Sequence, residues 1–166
     1  MNPNTETTRW LVELQGFSGI PDRDLKSIDI GLRVGPVFCM LLAGIGTALA
    51  SPAMLLALVP LAALGAILSG SPFDVFYNHG LRHMLKGPRL PVYQAPRRFA
   101  CGLASAWLIV TAGLMAGGFA TAGQVMGWLL VVTAAVPVTT GFCVPSFTYR
   151  MITGTMPVRG KPATVA

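Results

Sequence analysis

Charge is excluded from two long stretches of this chain. No Asp, Glu, Lys or Arg occurs in residues 34–73, and none occurs in 99–149. The twelve Lys and Arg and the six acids all lie before Val34, within 74–98, or after Tyr149. An ion at mid-bilayer costs about 2.5–3.5 kcal/mol on insertion scales, so such stretches are built to cross a membrane. Composition agrees, since 11% of residues are charged where soluble domains carry about a quarter. At 166 residues the chain is expected to form one membrane domain, 1–166. A net charge of +6 would also suit nucleic acid. Here the basic residues flank apolar stretches, where they meet anionic headgroups, so no nucleic acid is expected. The first apolar run starts about thirty residues in and no A-x-A site follows it, so no cleaved signal peptide is expected.

A helix crossing a ~30 Å hydrocarbon core needs about 20 residues, so each uncharged stretch holds two spans. Ala50-Ser51-Pro52 breaks the first, because proline suits the start of a new helix. The glycine-rich segment 117–123 breaks the second. The expected spans are 28–49, 53–69, 99–116 and 124–142. The fold class is therefore an all-α membrane protein, with four transmembrane helices in two hairpins. All Lys and Arg fall on one side of these hairpins. The positive-inside rule makes that side cytoplasmic, with both termini there.

Arg33 precedes one hairpin and Arg98 the other, and both hairpins exit through Ser/Pro/Phe-rich segments, which suggests a weak internal repeat. The pairs Gly31/Gly35 and Gly113/Gly117 allow close helix approach. Pro36, Pro60 and Pro137 fall inside spans, where proline kinks a helix and frees a carbonyl. A kinked bundle of this kind can enclose a small cavity.

Segment 72–86 reads as an amphipathic helix on the cytoplasmic interface. Ser71-Pro72-Phe73-Asp74 supplies a cap, a first-turn proline and a first-turn acid. Phe73, Phe76, Tyr77, Leu81, Met84 and Leu85 recur at helical spacing, with Arg82 and Lys86 on the other face. Phe73, Phe76, Tyr77, Arg82, Lys86, Arg97 and Arg98 are the expected membrane-interface residues. Trp10, Leu11, Leu14 and Phe17 form a shorter amphipathic piece of the same kind.

His79 and His83 stand four apart, the spacing of two metal ligands on a helix. Two ligands do not complete a site, and Asp74 lies about 100° or more away on the helical wheel. Interfacial histidines bonding headgroups or backbone are the commoner case. Cys39, Cys101 and Cys143 stand six, three and seven positions from Arg33, Arg98 and Arg150. At about 1.5 Å per residue, all three lie roughly 5–10 Å below the charged boundary, in one layer. Three thiols at one depth suit redox, sulfur-transfer or soft-metal chemistry. The favoured reading is plainer: cysteine is a small apolar residue suited to helix packing, and the cytosolic side is reducing, which works against structural disulfides. A disulfide, if one forms, is expected between Cys101 and Cys143, which lie on hairpin partners.

Pro72-Phe73-Asp74, Tyr77-Asn78-His79-Gly80-Leu81-Arg82, Ala95-Pro96-Arg97-Arg98-Phe99-Ala100 and Gly141-Phe142-Cys143-Val144-Pro145-Ser146 resemble a bacterial membrane family known as domain of unknown function 4395. The resemblance covers about 28–151. It implies a four-helix integral membrane protein with no established activity. It also implies a Cys-x-x-Cys pair at the end of span four, able to cycle between dithiol and disulfide. Here Cys143 holds the first position and Ser146 the second, and a hydroxyl cannot resolve a mixed disulfide. Only Cys39 or Cys101 could stand in. Family members are associated with sulfurtransferase and thioredoxin-like proteins.

Three functions fit. The leading one is an accessory or scaffold subunit of a membrane complex, with the lipid bilayer and protein partners or further copies of itself around it. The second is a thiol-redox or sulfur-handling protein using Cys143 with Cys101 or Cys39. The third is a small oligomeric transporter or channel, which is disfavoured because no ionisable residue falls at mid-membrane. No enzymatic activity and no cofactor is assigned. The orientation makes one firm expectation. Single cysteines introduced into 74–98 should react with a membrane-impermeant maleimide only from the cytoplasmic side of membrane vesicles, and labelling from the opposite side would reverse the topology.

Overall fold

A computed structural model describes residues 3–68, 77–81 and 92–158. These described residues form six α-helices in order: α1 (Pro3–Leu14), α2 (Asp22–Ala48), α3 (Pro52–Ile67), α4 (Ala95–Ala116), α5 (Ala120–Thr140) and α6 (Val144–Thr153). Tyr77–Leu81 forms a π-helical turn. The described residues contain no strand. Most of the interfacial helix expected over 72–86 lies outside the described residues.

Local chemistry sets the helix boundaries. Asp22 and Asp24 stand in the first turn of α2, where acids complement the helix dipole. Ser51 caps α3 by accepting from the Met54 amide at 3.4 Å, and Pro52 opens the helix. Ala50 takes a positive φ of 46° to turn the chain. The second hairpin turns tighter than its glycines suggested. Only 117–119 form the turn, and α5 begins at Ala120. Gly123 lies inside the helix, where a Cβ would strike Met115. Its small size serves close packing of α4 on α5 rather than a loop.

Helices α2 to α5 close into a four-membered ring, with α3 packed on α4 and α2 on α5 as the main seams. The seams use small residues: Ala43, Gly46, Thr47, Ala62, Gly65, Ala112, Gly123 and Gly127 are all buried. Leu55, Leu58, Leu108 and Leu130 pack among them, whereas many other large apolar side chains point outward. Ile67 is 69% exposed and Val132 62%, along with Leu41, Ile45, Leu56, Ile109 and Leu129. In water such a surface would be an aggregation site, whereas in lipid it is the natural outer face. Among the described residues, α2, α4 and α5 are long and apolar enough to cross a membrane. The 16-residue α3 rises about 24 Å, short of a ~30 Å core.

One end of the ring is built by arginines. Each antiparallel neighbour leaves carbonyls unpaired at its C-terminus. Arg33, about three turns into α2, donates to the Val138 and Thr139 carbonyls at the end of α5, both at 3.0 Å. Arg98, in the first turn of α4, donates to Ala66 and Ile67 at the end of α3, both at 2.8 Å. Thus each hairpin's leading arginine caps the other hairpin's final helix. The two residues equivalent in the suspected repeat do equivalent work. Arg150 of α6 does the same for α1, donating to Glu13 at 2.7 Å and Leu14 at 2.9 Å.

Helix α1 differs from the expected interfacial anchor. Val12, Leu14 and Phe17 are buried with Ile20, Leu25, Ile28 and Leu32, and Trp10 stacks on Phe142. The apolar stripe meets the protein's own helices because Arg150 ties the end of α1 to α6. Helix α6 itself was not foreseen. The chain turns at Gly141, whose φ of 75° is left-handed, and restarts a helix at Val144 with Pro145 in its first turn.

The tightest seam yields a stability test. A Cβ on Gly127 would collide with the Thr47 hydroxyl and lie 2.6 Å from its Cγ2. Gly127→Ala should destabilise the bundle by about 1–3 kcal/mol in detergent thermal melts, as overpacking does. Thr47→Ala in the same chain should return part of the loss.

Candidate functional site

The half of the ring nearer the arginine end encloses a cavity of about 440 Å³. All five helices from α2 to α6 contribute to its wall. Pro36 and Cys39 come from α2, Arg97, Cys101 and Trp107 from α4, Pro137 from α5, and Cys143 from the start of α6. The wall is otherwise aliphatic and aromatic. The three cysteines expected to share a layer are therefore placed around one space. None is in a disulfide, and Cys143 is the most buried of them. Among the described residues no three His, Cys, Asp or Glu side chains converge as a metal site would require.

Pro36 explains how the cavity acquires its single charge. Proline has no N–H, so the carbonyl four residues earlier, that of Leu32, lacks its helical donor. Arg97 fills the vacancy, donating from Nη2 to the Leu32 oxygen at 2.7 Å. Its Nη1 donates to Gln15 Oε1, and its guanidinium carbon lies 5.3 Å from the centre of the Tyr93 ring. Gln15 in turn donates to the Gly141 carbonyl at 3.0 Å, which ties Arg97 to the end of α5. Arg97 is only 5% exposed. It was expected at the headgroup interface with Arg98. The two differ because adjacent helical residues point about 100° apart, so one turns into the ring and the other onto α3.

Beside this site the buried Asp29 pairs with Arg33 at 2.7 Å. A Cβ on Gly141 would come within 2.9 Å of Arg33 Nη2 and 3.2 Å of Asp29 Oδ1, so this ion pair also needs the glycine.

Cys143 is the N-cap residue of α6 and Ser146 lies in the helix's first turn. The Ser146 hydroxyl, fully buried, lies 3.2 Å from Cys143 Sγ and 3.3 Å from the Pro96 carbonyl. It sits where the family resemblance implies a second cysteine. His79 is exposed in the π-helical turn. His83, Phe73, Phe76, Arg82 and Lys86 lie outside the described residues, as does the Tyr77 side chain. Phe99 contacts the Tyr149 ring at 5.5 Å beside the cavity. Arg97 was the residue whose role the sequence concealed. Its signal was the proline at position 36, which creates an acceptor inside the bundle.

A family model described as a domain of unknown function (DUF4395) matches residues 29–153. The chain belongs to this family. No curated protein and no solved structure is detectably similar to it. The DUF4395 match takes in α2 from Asp29 onward, the whole of α3 to α6, and every residue of the cavity wall. Helix α1 and Gln15 precede it, so one hydrogen-bond acceptor of Arg97 comes from outside the matched region.

The Cys143–Ser146 geometry can be tested directly. Ser146→Cys should place a second sulfur beside the first. Mild oxidation should then remove both thiols from maleimide labelling, and dithiothreitol should restore them.

Proposed function

We propose that this DUF4395 protein is a four-span protein of the bacterial cytoplasmic membrane that handles thiol-bound sulfur through Cys143. What supports the reading is one observation: three thiols from α2, α4 and α6 line a single cavity. In the proposed orientation the arginine end faces the cytoplasm, with both termini and 74–98 on that side. Helix α3 completes its crossing with flanking apolar residues and with local thinning of the bilayer, both low-cost adjustments.

The proposed step balances without an outside oxidant. The Cys143 thiolate attacks the outer sulfur of a donor persulfide. The donor leaves as a thiolate, and Cys143 carries the persulfide. A second cavity thiolate, Cys101 or Cys39, then takes the same sulfur atom and returns Cys143 to a thiolate. The Ser146 hydroxyl donates to the Cys143 sulfur and steadies its negative charge. Such a protein suits the accessory role as well, since a partner on the cytoplasmic side would deliver and collect the sulfur.

The experiment is transfer from a low-molecular-weight persulfide to the purified protein, read by mass spectrometry after alkylation. One added sulfur should appear on Cys143 first. Cys143→Ala should abolish the transfer, whereas the double variant Cys39→Ala/Cys101→Ala should leave the sulfur trapped on Cys143. Absence of any added sulfur on the folded wild type would remove this reading.

A further inference from the structure

The cavity holds a cation that the described residues of its wall do not neutralise. Among them the partners of Arg97 are formally neutral: the Gln15 amide oxygen, the Leu32 carbonyl, and Tyr93 through its ring and a side-chain hydrogen bond. No carboxylate among the described residues forms an ion pair with it, and the buried Asp29 pairs with Arg33. A guanidinium carries five N–H donors in a planar fork suited to a carboxylate, and the Gln15, Leu32 and Tyr93 bonds use three. A buried charge needs an opposite charge, and the described residues supply no carboxylate for it.

The rest of the wall specifies the remainder of the ligand. A volume of about 440 Å³ is of small-molecule size, far more than a lone inorganic ion fills. Its lining is apolar apart from Arg97, the thiols, Tyr93 and two threonines. Three lining residues, Phe99, Leu103 and Val144, are also exposed on the outer face of the bundle. The cavity therefore reaches the surface that lipid would cover, and a hydrocarbon chain can enter without crossing water.

We propose that the cavity binds a single-chain organic monoanion, its head on the Arg97 guanidinium and its apolar body along the wall between α4 and α6. This inference rests on the cavity being the working site, but not on any cysteine reacting there.

Trp107 lines the cavity and supplies the probe. The other two tryptophans are removed as Trp10→Phe and Trp128→Phe, and the protein is placed in phosphatidylcholine nanodiscs at alkaline pH. Titration with ω-bromoundecanoate should quench Trp107 saturably. Decanoate and decylsulfonate should reverse the quenching, and decanol should not. Arg97→Gln should weaken binding by about tenfold or more, the worth of one charge-assisted hydrogen bond, with part restored by Arg97→Lys. Equal quenching by ω-bromoundecanol and ω-bromoundecanoate in the wild type would overturn the proposal. That comparison needs no Arg97 variant to fold. Neutralisation of Arg97 by a cavity thiolate would give the same overturning result. Sulfur transfer is read separately, so anion-selective quenching without transfer rejects the thiol reading alone, and transfer without anion selectivity rejects this one alone.

Discussion

Everything at the arginine end depends on satisfying the carbonyls that helices leave open. An α-helix ends with four acceptors and no donors, and little water is available to them beside hydrocarbon. The chain answers with guanidinium groups, which carry several donors on a long reach. Arg33, Arg98 and Arg150 each start from one helix and terminate another. Arg98, in the first turn of α4, is poorly placed for its own helix dipole, yet well placed for the C-terminus of its antiparallel neighbour α3. The same charges can thus serve as topology signals and as caps. Arg97 extends the scheme inward, since the acceptor it meets is made by Pro36 in the middle of a helix rather than at an end.

Much of the architecture was legible because bilayer physics writes coarse signals. Charge exclusion located the apolar helices, and the Ala50-Ser51-Pro52 break was correctly read as the first hairpin turn. The depth argument from helical rise put Cys39, Cys101 and Cys143 in one layer, and they line one cavity. What escaped were features set by direction around a helix or by long-range partners. Arg97 and Arg98 are indistinguishable by position in the sequence, and only the orientation of α4 separates a buried charge from a cap. Gly123 looked like a loop residue because glycine marks both turns and tight helix seams. The stripe of α1 looked lipid-facing because an apolar face does not state what covers it.

The cavity and the caps share a cause. Pro36 and Pro137 both line the space, and each removes a backbone donor from its helix. In the other half of the ring α2 and α5 touch closely through Thr47 and Gly127. Small residues thus seal one half of the ring, and prolines line the open half. A working space and a rigid seam can coexist in a bundle this small because the two devices occupy different depths.

The crossed caps have a consequence for how the protein is made. The last carbonyls of α3 wait for Arg98, which is synthesised more than thirty residues later. Arg33 has no α5 to terminate until Val138 and Thr139 have been made, more than a hundred residues later. Neither hairpin is a finished unit while the other is missing. The reciprocal clasp therefore couples the two hairpins, and it closes only once both are in place.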